Sequence, residues 1–269
     1  PLWIVNVKRM IIIQENSIKL TLKGIIIRDK ELGEKDKVIR IFTAERGIIS
    51  AIVKRGQSIK SKKGSISQPL AYCIFSLYER KGGFIVDEIE IQELFWGIRE
   101  DLESLALAQY FCELCMAWMP DENNSKNLLK LLLNTLYYLS EKKKSNKFLK
   151  AVFELRGCTL CGYMPDLVCC SRCGSFNSAG MLFLIRYGKL LCEKCASFHE
   201  KSMGIMLSAG VLSALRHIVY AEFVNLYKFV ISPDSEECLS KVCERYIFEH
   251  IGTHFKSLEF YKNLTQLST

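Results

Sequence analysis

The 269-residue chain is 49% apolar and 25% charged, which excludes a disordered or fibrous protein and supplies material for real cores. Thirty-seven Lys and Arg against 29 Asp and Glu leave a formal charge of +8, compatible with an anionic partner. No apolar stretch approaches the roughly 18 residues needed to span a bilayer, and no signal-peptide cleavage pattern follows the N-terminal segment, so a soluble intracellular protein is expected.

Residues 1–17 read as an extension, with Met10 a candidate start. Five strands are predicted over residues 19–28, 37–43, 48–54, 70–79 and 84–94, the last two joined by Arg80-Lys81-Gly82-Gly83, where glycine supplies the backbone freedom a hairpin needs. Five strands in under 80 residues with no helical period point to a small antiparallel barrel of OB-fold size, with an SH3-like barrel as the alternative. The period changes to about 3.6 at Trp96. Ile98, Leu102, Leu105, Ala108, Cys112, Cys115 and Met119 mark one helix face, ended by Asp121-Glu122-Asn123-Asn124. Further helices are expected over residues 125–140 and 146–156, from a Ser208 cap to about Val224, and after Ser232-Pro233. The predicted fold is α+β: a barrel domain at 18–95, a helical domain at 96–157 and 201–269, and a cysteine module at 158–200 inserted in the helical part.

The barrel segment holds most of the basic excess, with fifteen Lys and Arg against ten Asp and Glu in residues 18–95. No acidic residue stands between Glu45 and Glu79, whereas Arg46, Lys54, Arg55, Lys60, Lys62 and Lys63 all do. A basic, Ser/Gly-rich loop between the third and fourth strands can track phosphates, and a solvated hairpin is the bland alternative. Phe42, Tyr72, Phe75 and Tyr78 have strand spacing and read as core more readily than as stacking platforms.

Eight of the twelve cysteines form C-x-x-C pairs. Cys170-x-x-Cys173-Gly174 and Cys192-x-x-Cys195, eighteen residues apart, have the spacing of a four-thiolate zinc site, with a short hairpin over residues 181–191 turning at Gly188. Four thiolates close the coordination shell, so one structural zinc ion is expected and catalysis at the metal is not. Cys169 competes with Cys170 as ligand. Cys158 and Cys161 can form part of a second site or stand as incidental thiols; Cys112 and Cys115 read as small buried hydrophobes, and His250 and His254 as structural.

The order of barrel, helices and cysteine insert resembles the RecO family of bacterial recombination mediators. The resemblance is carried by Leu22-x-Gly24, Gly33-Glu34-x-Asp36-Lys37, Ile41-Phe42-Thr43-x-Glu45-x-Gly47 and Lys54-Arg55-Gly56 in the barrel. It continues through Leu105-Ala106, Phe153-Glu154-Leu155, Gly162-Tyr163-x-Pro165-Asp166-Leu167, the two cysteine pairs and Leu207-Ser208. It implies an N-terminal OB-fold, binding of single- and double-stranded DNA, and annealing of complementary strands. It also implies work with RecR, RecF and the C-terminal tail of the single-strand binding protein SSB to load RecA, in the cytoplasm at the nucleoid and without enzymatic turnover. Arg28, Arg40, Lys54, Arg55, Lys60, Lys62, Lys63, Arg80 and Lys81 are the expected DNA contacts. Gln57-Ser58-Ile59 departs from the more basic character the family often has there. A zinc-ribbon nucleic-acid-binding protein outside recombination, such as a transcription factor, is the alternative.

Overall fold

The computed structural model of the chain describes residues 19–57, 64, 66–118, 122–176 and 180–267; the 1–17 extension and Lys60, Lys62 and Lys63 lie outside them. The described residues divide into two compact units, 19–95 with 122–129 and 96–118 with 130–267.

In the first unit β1 (Lys19–Leu32), β2 (Asp36–Thr43), β3 (Gly47–Val53), β4 (Tyr72–Arg80) and β5 (Gly83–Glu93) close in the order β1-β2-β3-β5-β4. Every neighbouring pair is antiparallel except β3 with β5, which run parallel at Ala51↔Phe84 and Ile52↔Ile85. This is the five-stranded OB barrel expected from the strand spacing. Alternation fills its interior with Ile26, Ile39, Ile41, Ala51, Val53, Cys73, Phe75, Leu77 and Val86. Phe42 and Phe75 are fully buried, as a core role requires, whereas Tyr72 and Tyr78 are half-buried. β1 runs four residues beyond the expected Arg28, staying paired with β2 as far as Leu32↔Asp36, and its register shifts between Ile26 and Arg28. Such a bulge sets two residues against one on the partner strand and re-aims the side chains beyond it.

The second unit is helical. The single helix expected over residues 98–119 is two, α1 (Trp96–Arg99) and α2 (Leu102–Trp118). Asp101 separates them, accepting from the Ser104 backbone N–H at 3.0 Å as an N-cap does. Then come α3 (Glu122–Ser140) and α4 (Asn146–Leu160); α3 starts within the stretch expected to be a break. After the cysteine module α6 (Ala209–Tyr220) begins at its Ser208 cap and ends four residues before Val224, and α7 (Pro233–Ile251) opens with proline in its first turn. A last helix, α8 (Lys256–Leu267), adds to those expected from the sequence. The core of this unit includes Tyr110, Phe111 and Phe153, with Phe111 and Phe153 ring centroids 4.4 Å apart.

Between α4 and α6 a four-stranded sheet runs in the order β6-β8-β7-β9, from β6 (Asp166–Cys170), β7 (Met181–Leu184), β8 (Lys189–Cys192) and β9 (Ile205–Leu207), with α5 (Phe198–Met203) between the last two. The β7–β8 hairpin and its left-handed Gly188 match the sequence pattern; β6, β9 and α5 are too short to show a period. Among the described residues no helix is long and apolar enough to cross a membrane.

Candidate nucleic-acid interface and metal centre

The β1 bulge decides which way Arg28 points. Ile26 lies opposite Ile41 in the core, so strict alternation would set Arg28 opposite the inward Ile39; the extra residue instead pairs it with Arg40. Both arginines are exposed, and neither has a carboxylate within ion-pair distance among the described residues. Arg40 in turn lies opposite the exposed Ser50 of β3, whose carbonyl is closely approached by Gly83 from the β4–β5 turn. Arg28, Arg40 and the turn carrying Arg80 and Lys81 therefore form one band across the outer wall, about 10 Å wide from β1 to β3. Lys81 is exposed and Arg80 half-buried. Lys54 and Arg55 are exposed but lie apart, at the far end of β3 beside the β1–β2 turn.

Sequence reading missed the row next to this band. Lys30, Val38, Ile52, Ile85 and Tyr78 are successive cross-strand partners facing outward, an aliphatic and aromatic strip with exposed Lys30 at one end. At its other end Lys19 lies over the Tyr78 ring at 5.7 Å and pairs with Asp87 at 2.8 Å. Only the strand register reveals that these residues are neighbours. Of the barrel's ten acidic residues four lie on β5, as Asp87, Glu88, Glu90 and Glu93, and four more, Asp29, Glu31, Glu34 and Asp36, lie on β1, β2 and the turn between them. A wall with cations over an aliphatic floor suits phosphates and base faces; the β5 wall repels both strands of a nucleic acid.

The cysteines come together for a topological reason. β6 and β8 run parallel and each ends in the first cysteine of a pair, so both knuckles emerge at one end of the sheet. Each knuckle closes tightly: the Gly174 N–H donates to the Cys170 carbonyl at 2.9 Å, and the Cys195 and Ala196 N–H groups both reach the Cys192 carbonyl at 3.0 Å. Gly174 has φ +72°, a conformation that favours glycine. Arg172 ties the knuckles together, donating to the Cys195 carbonyl and pairing with Glu200 at 2.6 Å.

The sulfurs of Cys170, Cys173, Cys192 and Cys195 all lie within 4.8 Å of one another, the group among the described residues that can hold a metal ion. Cys173 and Cys192 Sγ are 3.7 Å apart. A tetrahedron with metal–sulfur bonds of about 2.3 Å has edges of about 3.8 Å, whereas a disulfide needs about 2.05 Å, so the spacing fits thiolates around an ion. Burial works against the Cys170 thiolate, but the backbone N–H groups of Cys192, Cys173 and Arg172 bring that thiol down to about 6. Hydrogen bonding with Cys192 and Cys173 pushes Cys195 up to about 12.

The other thiols stand elsewhere. Cys169 alternates to the face of β6 opposite Cys170 and is absent from the group. Cys158 is fully buried at the end of α4 and held well above the usual thiol range, chiefly by burial. Burial likewise pushes Cys112 up to about 12 and holds Cys115 well above the usual thiol range, as inert core thiols require. His250 hydrogen-bonds the Ile185 carbonyl at 3.1 Å and lies 4.2 Å from the Tyr246 ring, a packing role.

One more feature was invisible in the sequence. Lys150, 2% exposed, sits between Glu154 at 3.0 Å and Glu244 at 2.9 Å; Tyr110 donates to Glu154 at 2.8 Å, and Glu244 pairs outward with Lys262 at 2.6 Å. Two carboxylates share one buried lysine. The fully buried Glu154 yields its charge first, pushed up to about 7 by desolvation, while Glu244, nearer the surface and paired with two lysines, stays below the usual range.

The comparisons with known proteins agree with this layout. Residues 18–95, the barrel, match the family described as recombination protein O N terminal, and residues 99–259 match recombination protein O C terminal. The DNA repair protein RecO of Acetivibrio thermocellus is 33% identical over 248 residues, 92% of this chain and 98% of that one. That of Clostridium perfringens is 30% identical over 239 residues, 89% and 96% of the two chains, and that of Alkaliphilus metalliredigens 28% over 243 residues, 90% and 98%. With both halves matched in order and relatives aligned nearly end to end, the chain belongs to the recombination protein O (RecO) family of DNA repair proteins.

Proposed function

We propose that the chain is a recombination mediator that binds single- and double-stranded DNA on the β1–β3 wall of its barrel, anneals complementary strands, and works by binding rather than turnover. The observation that carries this reading is the unneutralised Arg28–Arg40 pair. Like charges directly opposite on a sheet are destabilising, and an anion on that wall gives them a purpose. Cations that neutralise two approaching backbones lower the repulsion opposing annealing.

In this reading residues 18–95 are the DNA-binding domain, 96–157 and 201–269 the helical body, and 158–200 a module built around one structural zinc ion held by Cys170, Cys173, Cys192 and Cys195. Zinc would fix the two knuckles in a sheet too small to hold them by packing alone. RecR, RecF and RecA come from the family as partners, with action in the cytoplasm at the nucleoid. The acidic, apolar-ended SSB tail is assigned to an open groove of about 630 Å³ between α7 and α8, floored by Ile247, Phe248, Phe255 and Leu258, where Lys241, Arg245 and Lys262 stand beside Glu244 and Glu259 and Lys262 pairs with Glu244.

The test is fluorescence anisotropy of labelled single-stranded and duplex oligonucleotides across a salt series. Binding whose logarithm falls linearly with log salt, by about 0.7 per phosphate for single strands and 0.9 for duplex, is expected. Absence of binding, or binding indifferent to salt, would overturn the assignment.

A further inference from the structure

The two knuckles of the metal centre are held in unequal ways. The first is anchored by the body around it: the Cys170 N–H donates to the Ser175 carbonyl and the Ser171 N–H to the Leu190 carbonyl, both at 2.9 Å. Arg216 of α6 adds bonds to the Leu167, Val168 and Phe176 carbonyls at 2.7, 2.9 and 3.2 Å. The second knuckle leaves the sheet at Cys192, where β8 ends; Cys192 is buried, whereas Cys195 beyond it is only half-buried. Among the described residues Arg172 is the one side chain besides the cysteines that hydrogen-bonds from the first knuckle into the second. Its Nη1 donates to the Cys195 carbonyl and its Nη2 to Glu200 Oε1 at 2.6 Å. Glu200 is fixed in turn, because its Oε2 accepts from the Ser197 N–H at 2.9 Å and from the Ser197 hydroxyl at 2.8 Å. Its own N–H donates to Ser197 Oγ at 3.3 Å, which completes the capping box that starts α5.

We infer that Arg172 is a positioning residue for the metal centre: through the Cys195 carbonyl and the capped start of α5 it holds the second knuckle where its sulfurs complete the four-thiolate group, and so sets how tightly the ion is retained. This rests on the reading of that group as a zinc site. A guanidinium suits the task because its fork presents donors in fixed directions and reaches two acceptors at once, whereas an ammonium is a point charge on a flexible stem. A knuckle already in place loses less ordering entropy when the ion binds.

The experiment uses the full-length chain: wild type, Arg172→Gln, Arg172→Lys, Glu200→Gln and the Arg172→Gln/Glu200→Gln double variant. Each is loaded with zinc and titrated with a competing chelator, beside elemental analysis and the visible spectrum of the Co²⁺-loaded chain. No ligand is altered, so all should bind one ion per chain and share one tetrahedral Co²⁺ spectrum. Arg172→Gln should weaken zinc retention about 10- to 100-fold, the range for groups that orient metal ligands. Arg172→Lys keeps the charge but not the fork and should recover only part of that loss. Glu200→Gln keeps the capping box, since Gln caps at that position as Glu does, and removes only the ion pair, so it should weaken retention severalfold. The double variant should be no weaker than Arg172→Gln alone, because Glu200 acts through Arg172. Wild-type retention by Arg172→Gln overturns the positioning role, and full recovery by Arg172→Lys replaces it with a charge effect. Losses that add in the double variant overturn the path through Glu200. Should Arg172→Gln purify without metal, Glu200→Gln carries the test, and wild-type retention by it overturns the role. A wild-type chain that takes up no zinc overturns the metal-centre reading instead.

Discussion

Replacing Arg40 with Gln should move stability and DNA binding in opposite directions. Gln keeps two of the three methylenes of the aliphatic stem and removes the charge, so the like-charge opposition to Arg28 disappears. Cross-strand pairs of this kind are worth about 0.2 to 1 kcal/mol. Relief of that repulsion should raise the melting temperature by about 1–3 °C, and the gain should fade above about 0.5 M salt, where screening already hides the repulsion. DNA binding should lose one phosphate contact, so the salt slope falls by about 0.7 for single strands. Between about 50 and 200 mM salt the affinity gap to wild type should then narrow about 2.5-fold. The assay is calorimetry or fluorescence melting beside anisotropy titrations on one preparation. A variant that melts lower and binds DNA with an unchanged slope would refute the reasoning, since Arg40 would then be packing rather than meeting an anion.

Three other perturbations probe the remaining sites. Cys192→Ser should abolish stoichiometric zinc uptake, read by elemental analysis, and loosen the β6–β9 sheet, whereas Cys158→Ser with Cys161→Ser should leave the metal content unchanged; the reverse pattern would relocate the site. Glu154→Gln should flatten a pH dependence of stability. Because the native carboxyl is raised from about 4.5 to about 7, its stabilising contribution is full below pH 4.5 and is lost as pH rises through 7, about 3 kcal/mol in all. Urea unfolding of both chains should show the variant gaining about that much on wild type between about pH 4.5 and 8, and a constant gap would contradict it. Gly56→Ala should cost about 1–3 kcal/mol by urea denaturation, because its Cβ would collide with Lys37 and Val53 and one of them must move; no loss would mean the turn yields freely.

The barrel was legible because alternation and turn glycines are local signals, and the five strands fall within a few residues of their expected bounds. The metal group was legible because paired cysteines at that spacing have few other uses. The features that escaped depend on register or on contacts distant in sequence. The bulge at Ile26/Arg28 looks like ordinary irregularity in a β-branched run, yet it sets Arg28 against Arg40. The strip from Lys30 to Tyr78 joins residues 48 positions apart. Gln57 reads as a missing charge because its partners, the Gly33 and Asp36 carbonyls, carry no sequence signature. The helix break at Asp101 is masked because apolar residues continue the 3.6 period on both sides of it. Glu154, Lys150 and Glu244 carry no joint signal in the sequence, because α2, α4 and α7 bring them around one buried site only in the fold.

The most direct test of the central claim is annealing. Complementary oligonucleotides, one carrying a fluorophore and one a quencher, are mixed with wild-type chain or with an Arg28/Arg40/Lys81→Ala variant of unchanged secondary structure that melts no lower than wild type. Wild type should speed duplex formation well above the spontaneous rate and the variant should lose most of that acceleration. Equal acceleration by both chains would contradict an interface on the β1–β3 wall.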